Sequence, residues 1–277
     1  MINLLQPLNF YDYQLEQNQY RENCAGAVPD DCQLVSDNKN LITWQIKVPF
    51  GVVAIQNVTL YCPSCIYDLD LPANTDIIKL VDDGTNKWII YTGDQLIFKD
   101  NNKNLTPLTV SACIYDWRVK AGGKTYYSEQ FLVVGTGMCR NDWGLKIEAW
   151  NTKNWNGLYF NNADFKFRVY FDTFISNMLA TIADVSNKDG YQRDVLSQRV
   201  ITPNFQIKFN PMPNSVAVGL SILTAMKNIH VLDTLGNDYT VKNIKFTQTP
   251  IDGDCLDLVV IEFSIFDNDY IETNCNS

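Results

Sequence analysis

Residues 113–135, CIYDWRVKAGGKTYYSEQFLVVG, write out a complete β-hairpin and then stop, and no other stretch of the chain narrows the fold as much. Cys113, Tyr115, Trp117 and Val119 alternate with Ile114, Asp116, Arg118 and Lys120, the two-residue period that sends one set to a core face and the other outward. Gly122 and Gly123 supply the turn, because two-residue type I′ and II′ loops need a positive φ that glycine adopts without steric penalty. The second arm, 126–134, runs into Gly135, Thr136 and Gly137, the ending of a last sandwich hairpin followed by a linker. That ending divides the chain near its middle, into 1–137 and 138–277.

At 277 residues the chain exceeds the usual domain size of about 100–200 residues, and each half is long enough to bury its own core. Before the hairpin, strand patterns recur at 42–48, 52–61, 77–80, 88–91, 95–98 and 108–119, separated by turn signals such as Asp82-Asp83-Gly84-Thr85 and Lys99-Asp100-Asn101-Asn102. Short strands at that spacing predict an immunoglobulin-like β-sandwich over 1–137, preceded by a polar N-terminal arm at 1–30 that carries Tyr11, Tyr13 and Tyr20. Such arms often order on a neighbouring subunit.

The second half opens with a strand at 145–150, then a half-buried strand in which Phe165, Phe167, Val169 and Phe171 alternate with Lys166, Arg168 and Tyr170. Residues 184–193 read as a polar loop, and 205–209 as a strand that Pro211 and Pro213 stop. Asn214 or Ser215 is placed to cap a helix over 216–227, with Val216, Leu220 and Leu223 on one face. Strands at 229–232, 239–246 and 255–266, joined through Gly236 and Gly253, close the chain as an antiparallel meander. The fold class predicted is mainly β: an N-terminal immunoglobulin-like β-sandwich plus a C-terminal β-rich α+β domain with one short helix.

Hydrophobic residues at 46% against 19% charged describe a chain that folds rather than a disordered one. Twenty-two basic against 31 acidic residues give a net charge of -9, the wrong sign for gripping phosphates, so sequence-specific nucleic-acid binding is not expected. An acidic wall suits a conduit through which DNA slides, and it equally serves solubility. Residues 1–20 have no basic n-region or long apolar run, and no window approaches the roughly 18 apolar residues of a membrane span. The chain is therefore expected to be made in a cytoplasm and to have no membrane partner.

Most of the eight cysteines are expected as free thiols in a reducing compartment, with Cys113 and Cys255 as small core residues. Cys62 and Cys65 form the one Cys-x-x-Cys pair and, with Cys24 and Cys32, are the set a structural zinc would use; the gap between Cys24 and Cys32 is not a common ligand spacing, and no metal is expected. His230 is the only histidine, which rules out two-histidine metal sites, and no phosphate loop, dinucleotide fingerprint or nucleophile elbow is present. The acids fall in turns, at Asp30-Asp31, Asp82-Asp83, Asp252, Asp254, Asp267 and Asp269, where aspartate usually bonds its own backbone. No catalytic residue and no cofactor is expected. Trp143, Trp150 and Trp155 cluster at the start of the second half, either as a sugar-stacking platform or as part of a domain or subunit interface.

The Gly-turned hairpin ending in Tyr-Tyr-Ser-Glu-x-Phe, preceded by Cys-Gln-Leu-Val-Ser-Asp at 32–37 and a Trp-Gln strand at 43–48, resembles the N-terminal domain of virion structural proteins of crAss-like and related phages of Bacteroidota. The 165–170 strand, the Pro213-Asn214-Ser215 segment, Gly236-Asn237-Asp238-Tyr239 and the 255–266 strand are similar, in the same order, to the second half of such proteins. The resemblance implies a non-enzymatic tail or neck subunit, a homo-oligomeric ring stacked between portal and tail tip, with neighbouring virion proteins as partners and the virion as its location. A different class of function, a carbohydrate- or receptor-binding module of a phage fibre or a secreted bacterial protein, draws its support from the aromatic cluster.

Overall fold

The computed structural model describes residues 6–11, 34–48, 54–100, 102–134, 144–161, 164–251, 256–265 and 269–271. The chain is mainly β, with several sheets and one short α-helix among these residues.

Three antiparallel strands, Trp44–Val48, Lys87–Tyr91 and Ile78–Asp82, form one layer of the first half. The facing layer runs from Cys65–Asp68 through Ile55–Cys62 to Cys113–Ala121. There it forks: the far end of Cys113–Ala121 pairs with Lys124–Ser128 and its near end with Phe131–Val134. Leu34–Asp37 then adds in parallel to Phe131–Val134. A three-stranded layer over a sheet that ends in a parallel first-to-last strand pair is the layout of an immunoglobulin-type sandwich.

Aromatic side chains fill the core between the two layers of that sandwich. Tyr115 donates its hydroxyl to the Ser111 carbonyl at 3.1 Å, the corner that this fold places two residues before its second cysteine. Trp117 stands at that cysteine position, and Trp44 faces it from the other layer with ring centroids 5.7 Å apart. Tyr91 packs 5.3 Å from Trp117, and Phe10 lies 5.1 Å from Trp44. Emptying either tryptophan site would cost about 3–5 kcal/mol, comparable to losing a native disulfide.

The sheet does not stop at the boundary between the halves. Leu34–Asp37 meets Phe167–Phe171 through the pair Tyr170 and Val35, and Leu145–Trp150, Asn228–Asp233 and Asp238–Thr240 continue the same sheet. The glycine-flanked linker expected after residue 134 lies outside the described residues.

A second sheet in this half holds Ile175–Lys188, Asp194–Lys208, Leu256–Ser264 and Lys242–Pro250. It corrects the sequence reading: 184–193 is the far end of a long two-stranded ribbon, with only 189–193 as its turn. The helix α1 is Asn214–Thr224, shorter than expected, and neither proposed cap acts as one. Asn214 instead donates its amide to Asp257 at 2.9 Å, and the Ser215 hydroxyl reaches across to the first half. Val216, Ala217, Leu220 and Leu223 bury the expected apolar face.

Candidate functional site

Residues 6–11 dock as a plug between the two halves. Phe10–Tyr11 forms a short antiparallel edge strand on Lys124–Ser128, with Phe10 opposite Ser128, and the Glu129 N–H donates to the Asn9 carbonyl at 2.9 Å. On the facing layer, the Gln6 side chain pairs with the backbone of Trp44–Val48: its amide donates to the Gln45 carbonyl at 2.6 Å and its oxygen accepts the Gln45 N–H at 3.0 Å. The Gln45 side chain repeats the device toward the second half, donating to the Tyr159 carbonyl at 2.7 Å and accepting the Tyr159 N–H at 2.9 Å. Leu8 is fully buried beside these contacts. On α1, Gly219 admits the arm: a Cβ there would lie 2.5 Å from the Gln6 carbonyl oxygen, backbone that cannot rotate away.

Glu129 is the charged centre of this plug. Its carboxylate accepts the Asn9 N–H at 3.4 Å, the Asn9 amide at 3.3 Å, the Tyr11 hydroxyl at 3.0 Å and the Ser215 hydroxyl at 2.8 Å. Burial pushes its pKa up, against the opposing pull of those four donors. Arm, sandwich and α1 therefore converge on one side chain. The sequence held a trace of this, since Glu129 and Ser215 belong to two of the motifs on which the phage resemblance rests; nothing in either motif says that they touch across 86 residues.

A second polar seam ties the halves. Arg168 donates to Glu148 at 3.1 Å and to the Gly93 carbonyl at 2.8 Å, and its N–H donates to the Thr43 hydroxyl at 2.6 Å. Burial alone would raise the Glu148 pKa, but Lys146 at 3.0 Å and Arg168 together hold it below the ordinary range. Gly93 has φ +90°, and a Cβ there would strike Thr43 and Arg168, so only glycine serves. Nearby, the Trp88 indole donates to the Gly157 carbonyl at 3.1 Å and its ring packs 5.1 Å from Tyr159.

The zinc candidates are not assembled by what is described. Cys62 is buried with its sulfur 3.2 Å from the Ser64 hydroxyl, and its neighbouring thiol is Cys113, whose pKa burial and Cys62 raise. Cys65 pairs with Cys62 across the Pro63-Ser64 turn, while Cys24 and Cys32 lie outside the described residues. Among the described residues no group of three or more His, Cys, Asp and Glu is placed to hold a metal.

Of the expected turn aspartates, Asp82 accepts the Gly84 N–H and Asp83 those of Thr85 and Asn86, while Asp269 stands in a strand opposite Ile201; Asp189, at the ribbon's turn, accepts those of Tyr191 and Arg193. Asp30, Asp31, Asp252, Asp254 and Asp267 lie outside the described residues. Of the aromatic cluster, Trp150 and Trp155 are half-buried, and Trp143 lies outside the described residues. Trp150 is already engaged, with the Lys166 ammonium 4.3 Å over its ring and His230 at 5.0 Å, and His230 in turn meets Asp238 at 3.0 Å.

Fold and site together define a β-sandwich protein whose two halves are pinned by a docked N-terminal strand. Comparison with protein-family models, curated proteins and solved structures finds no match.

Proposed function

We propose that the chain is a non-enzymatic structural protein of a tailed-phage virion, a tail or neck ring subunit whose copies line part of the path between portal and tail tip. Its partners in this reading are copies of itself and the virion proteins above and below. The observation that carries it is the ribbon of Ile175–Lys188 and Asp194–Lys208. Its root is held, because residues 204–208 pair with Leu256–Ser264 and 199–201 with Asp269–Ile271. From residue 198 to the tip, among the described residues, the two strands pair only with each other.

An isolated two-stranded ribbon is marginal in water, and among the described residues Ile175–Lys188 is the edge strand of its sheet. Phe174 at its base is 70% exposed and Tyr191 at its tip 82%. Closed rotational assemblies cover such projections with the next subunit, each patch meeting a different patch. The net charge of -9 suits a wall past which DNA slides.

A reconstruction of particles containing the chain tests the reading. Closed rings on the tail axis, with the ribbon lying against a neighbour, are the expected result. Isolated copies at fibre tips, together with binding on a glycan array, would replace it with the receptor-binding alternative.

A further inference from the structure

We infer that the socket formed by Gln45, Trp44, Glu129, Ser215 and Gly219 takes residues 6–11 from a second copy of the chain, so that neighbouring subunits exchange their N-terminal arms. The neighbour that supplies the arm is the one the ring reading provides, and the two ideas can fail separately.

Three features support exchange. The arm binds as a separate strand ligand would, through backbone and amide bonds at Gln6, Asn9 and Tyr11 and through buried Leu8 and Phe10. Among the described residues it is the outermost strand of its sheet, so leaving and returning displaces no other described element. The third feature is the tether. Tyr11 pairs with Tyr127 and Leu34 with Phe131, positions about 14 Å apart along the same segment. The 22 residues 12–33 that join them could reach roughly 70 Å when extended.

By contour length alone, the 22 residues 12–33 do not assign the arm to its own socket. Loop closure favours the near socket only weakly, because its entropy grows with the logarithm of length. In a ring the neighbour's identical socket stands at high effective concentration, and arm exchange conserves each contact made within one chain.

The test replaces Phe10 by p-benzoylphenylalanine in the full chain, where the ring lies 5.1 Å from Trp44. Light and isotopically heavy chains are mixed, concentrated until they associate, irradiated and digested. Exchange predicts cross-linked peptides joining residue 10 of a light chain to the Trp44 region of a heavy one, and a ladder of dimers and larger species on a denaturing gel. Gly219→Ala, which closes the socket against the Gln6 carbonyl, should reduce that yield at least tenfold; its melting curve shows whether the body still folds. If the variant does not fold, Gln6→Ala serves in its place, since it removes two arm bonds and leaves the helix untouched.

Linkage within single chains alone, whether or not the copies associate, overturns the exchange. Association with intrachain linkage alone leaves the ring reading standing.

Discussion

Glu129 shows how much one side chain can be asked to hold. Four donors from two segments, the arm and α1, surround the Glu129 carboxylate, so the group is neither a surface acid nor a simple ion pair. Its raised pKa sets the sign of its pH dependence. The folded state binds the Glu129 proton more tightly than the unfolded chain does, so this contribution is fully present below the ordinary glutamate value of about 4.3 and is lost as pH rises through the raised value. Glu148 has the opposite sign: Lys146 and Arg168 hold its pKa down, and its contribution is lost as pH falls. Glu129→Gln should therefore flatten the fall in melting temperature above the glutamate range while keeping the plug, because a Gln amide can donate to the Tyr11 and Ser215 hydroxyls and its oxygen can serve Asn9. Glu129→Ala, which removes the acceptor that these part-buried donors share, should cost roughly 1–3 kcal/mol. An unchanged pH profile in the Gln variant would remove Glu129 as the source.

At the scale of elements, the Gly-Gly hairpin behaves as its sequence says. Gly122 and Gly123 have φ of 58° and 78°, and Ala121 pairs with Lys124 across them. A Cβ on Gly123 would meet nothing within 4 Å, so any penalty for a side chain there is one of backbone conformation. Replacing both by Val should cost on the order of 1–2 kcal/mol per site. At about 2–4 °C per kcal/mol for a chain of this size, the melting temperature should drop by at least about 4 °C, and a drop under one degree would contradict the turn assignment. Strands with one buried face, such as Leu145–Trp150, were legible because burial imposes alternation, whereas Asp116 and Tyr170, expected outward, are buried. The ribbon was not. Asp184, Ser186, Asn187 and Lys188 are exposed, and a segment with no core face is under no pressure to alternate. The helix was legible by its apolar face and misread at its start, since Asn214 and Ser215 spend their side chains on Asp257 and Glu129 rather than on capping. The plug itself was out of reach, because it depends on which distant segments meet.

The whole molecule is organised around one shared sheet. Leu34–Asp37 lies between Phe131–Val134 and Phe167–Phe171, and Trp88 and Gln45 of the sandwich pack on residues 157–159 of the second half. A chain ending at Gly137 keeps every sandwich strand and should still unfold in one cooperative step, but below the melting temperature of the full chain, because it loses Ser215, Gly219 and Tyr159 from the arm and its support. Absence of a cooperative transition would mean that the halves fold only together.

The parallel pairing of Leu34–Asp37 with Phe131–Val134 has a mechanical side as well. Tension that enters at residue 34 from a pulled arm and leaves at residue 134 acts along the two strands in opposite senses, so their ladder bonds resist at once, in shear. Pulled at residues 175 and 208, the ribbon would part rung by rung, like a zip. In single-molecule stretching the parallel pair should rupture abruptly and at higher force than the ribbon opens; the reverse order would refute it. Load applied through the N-terminal arm would therefore meet the sheared pair and not the zip, and the sandwich would hold.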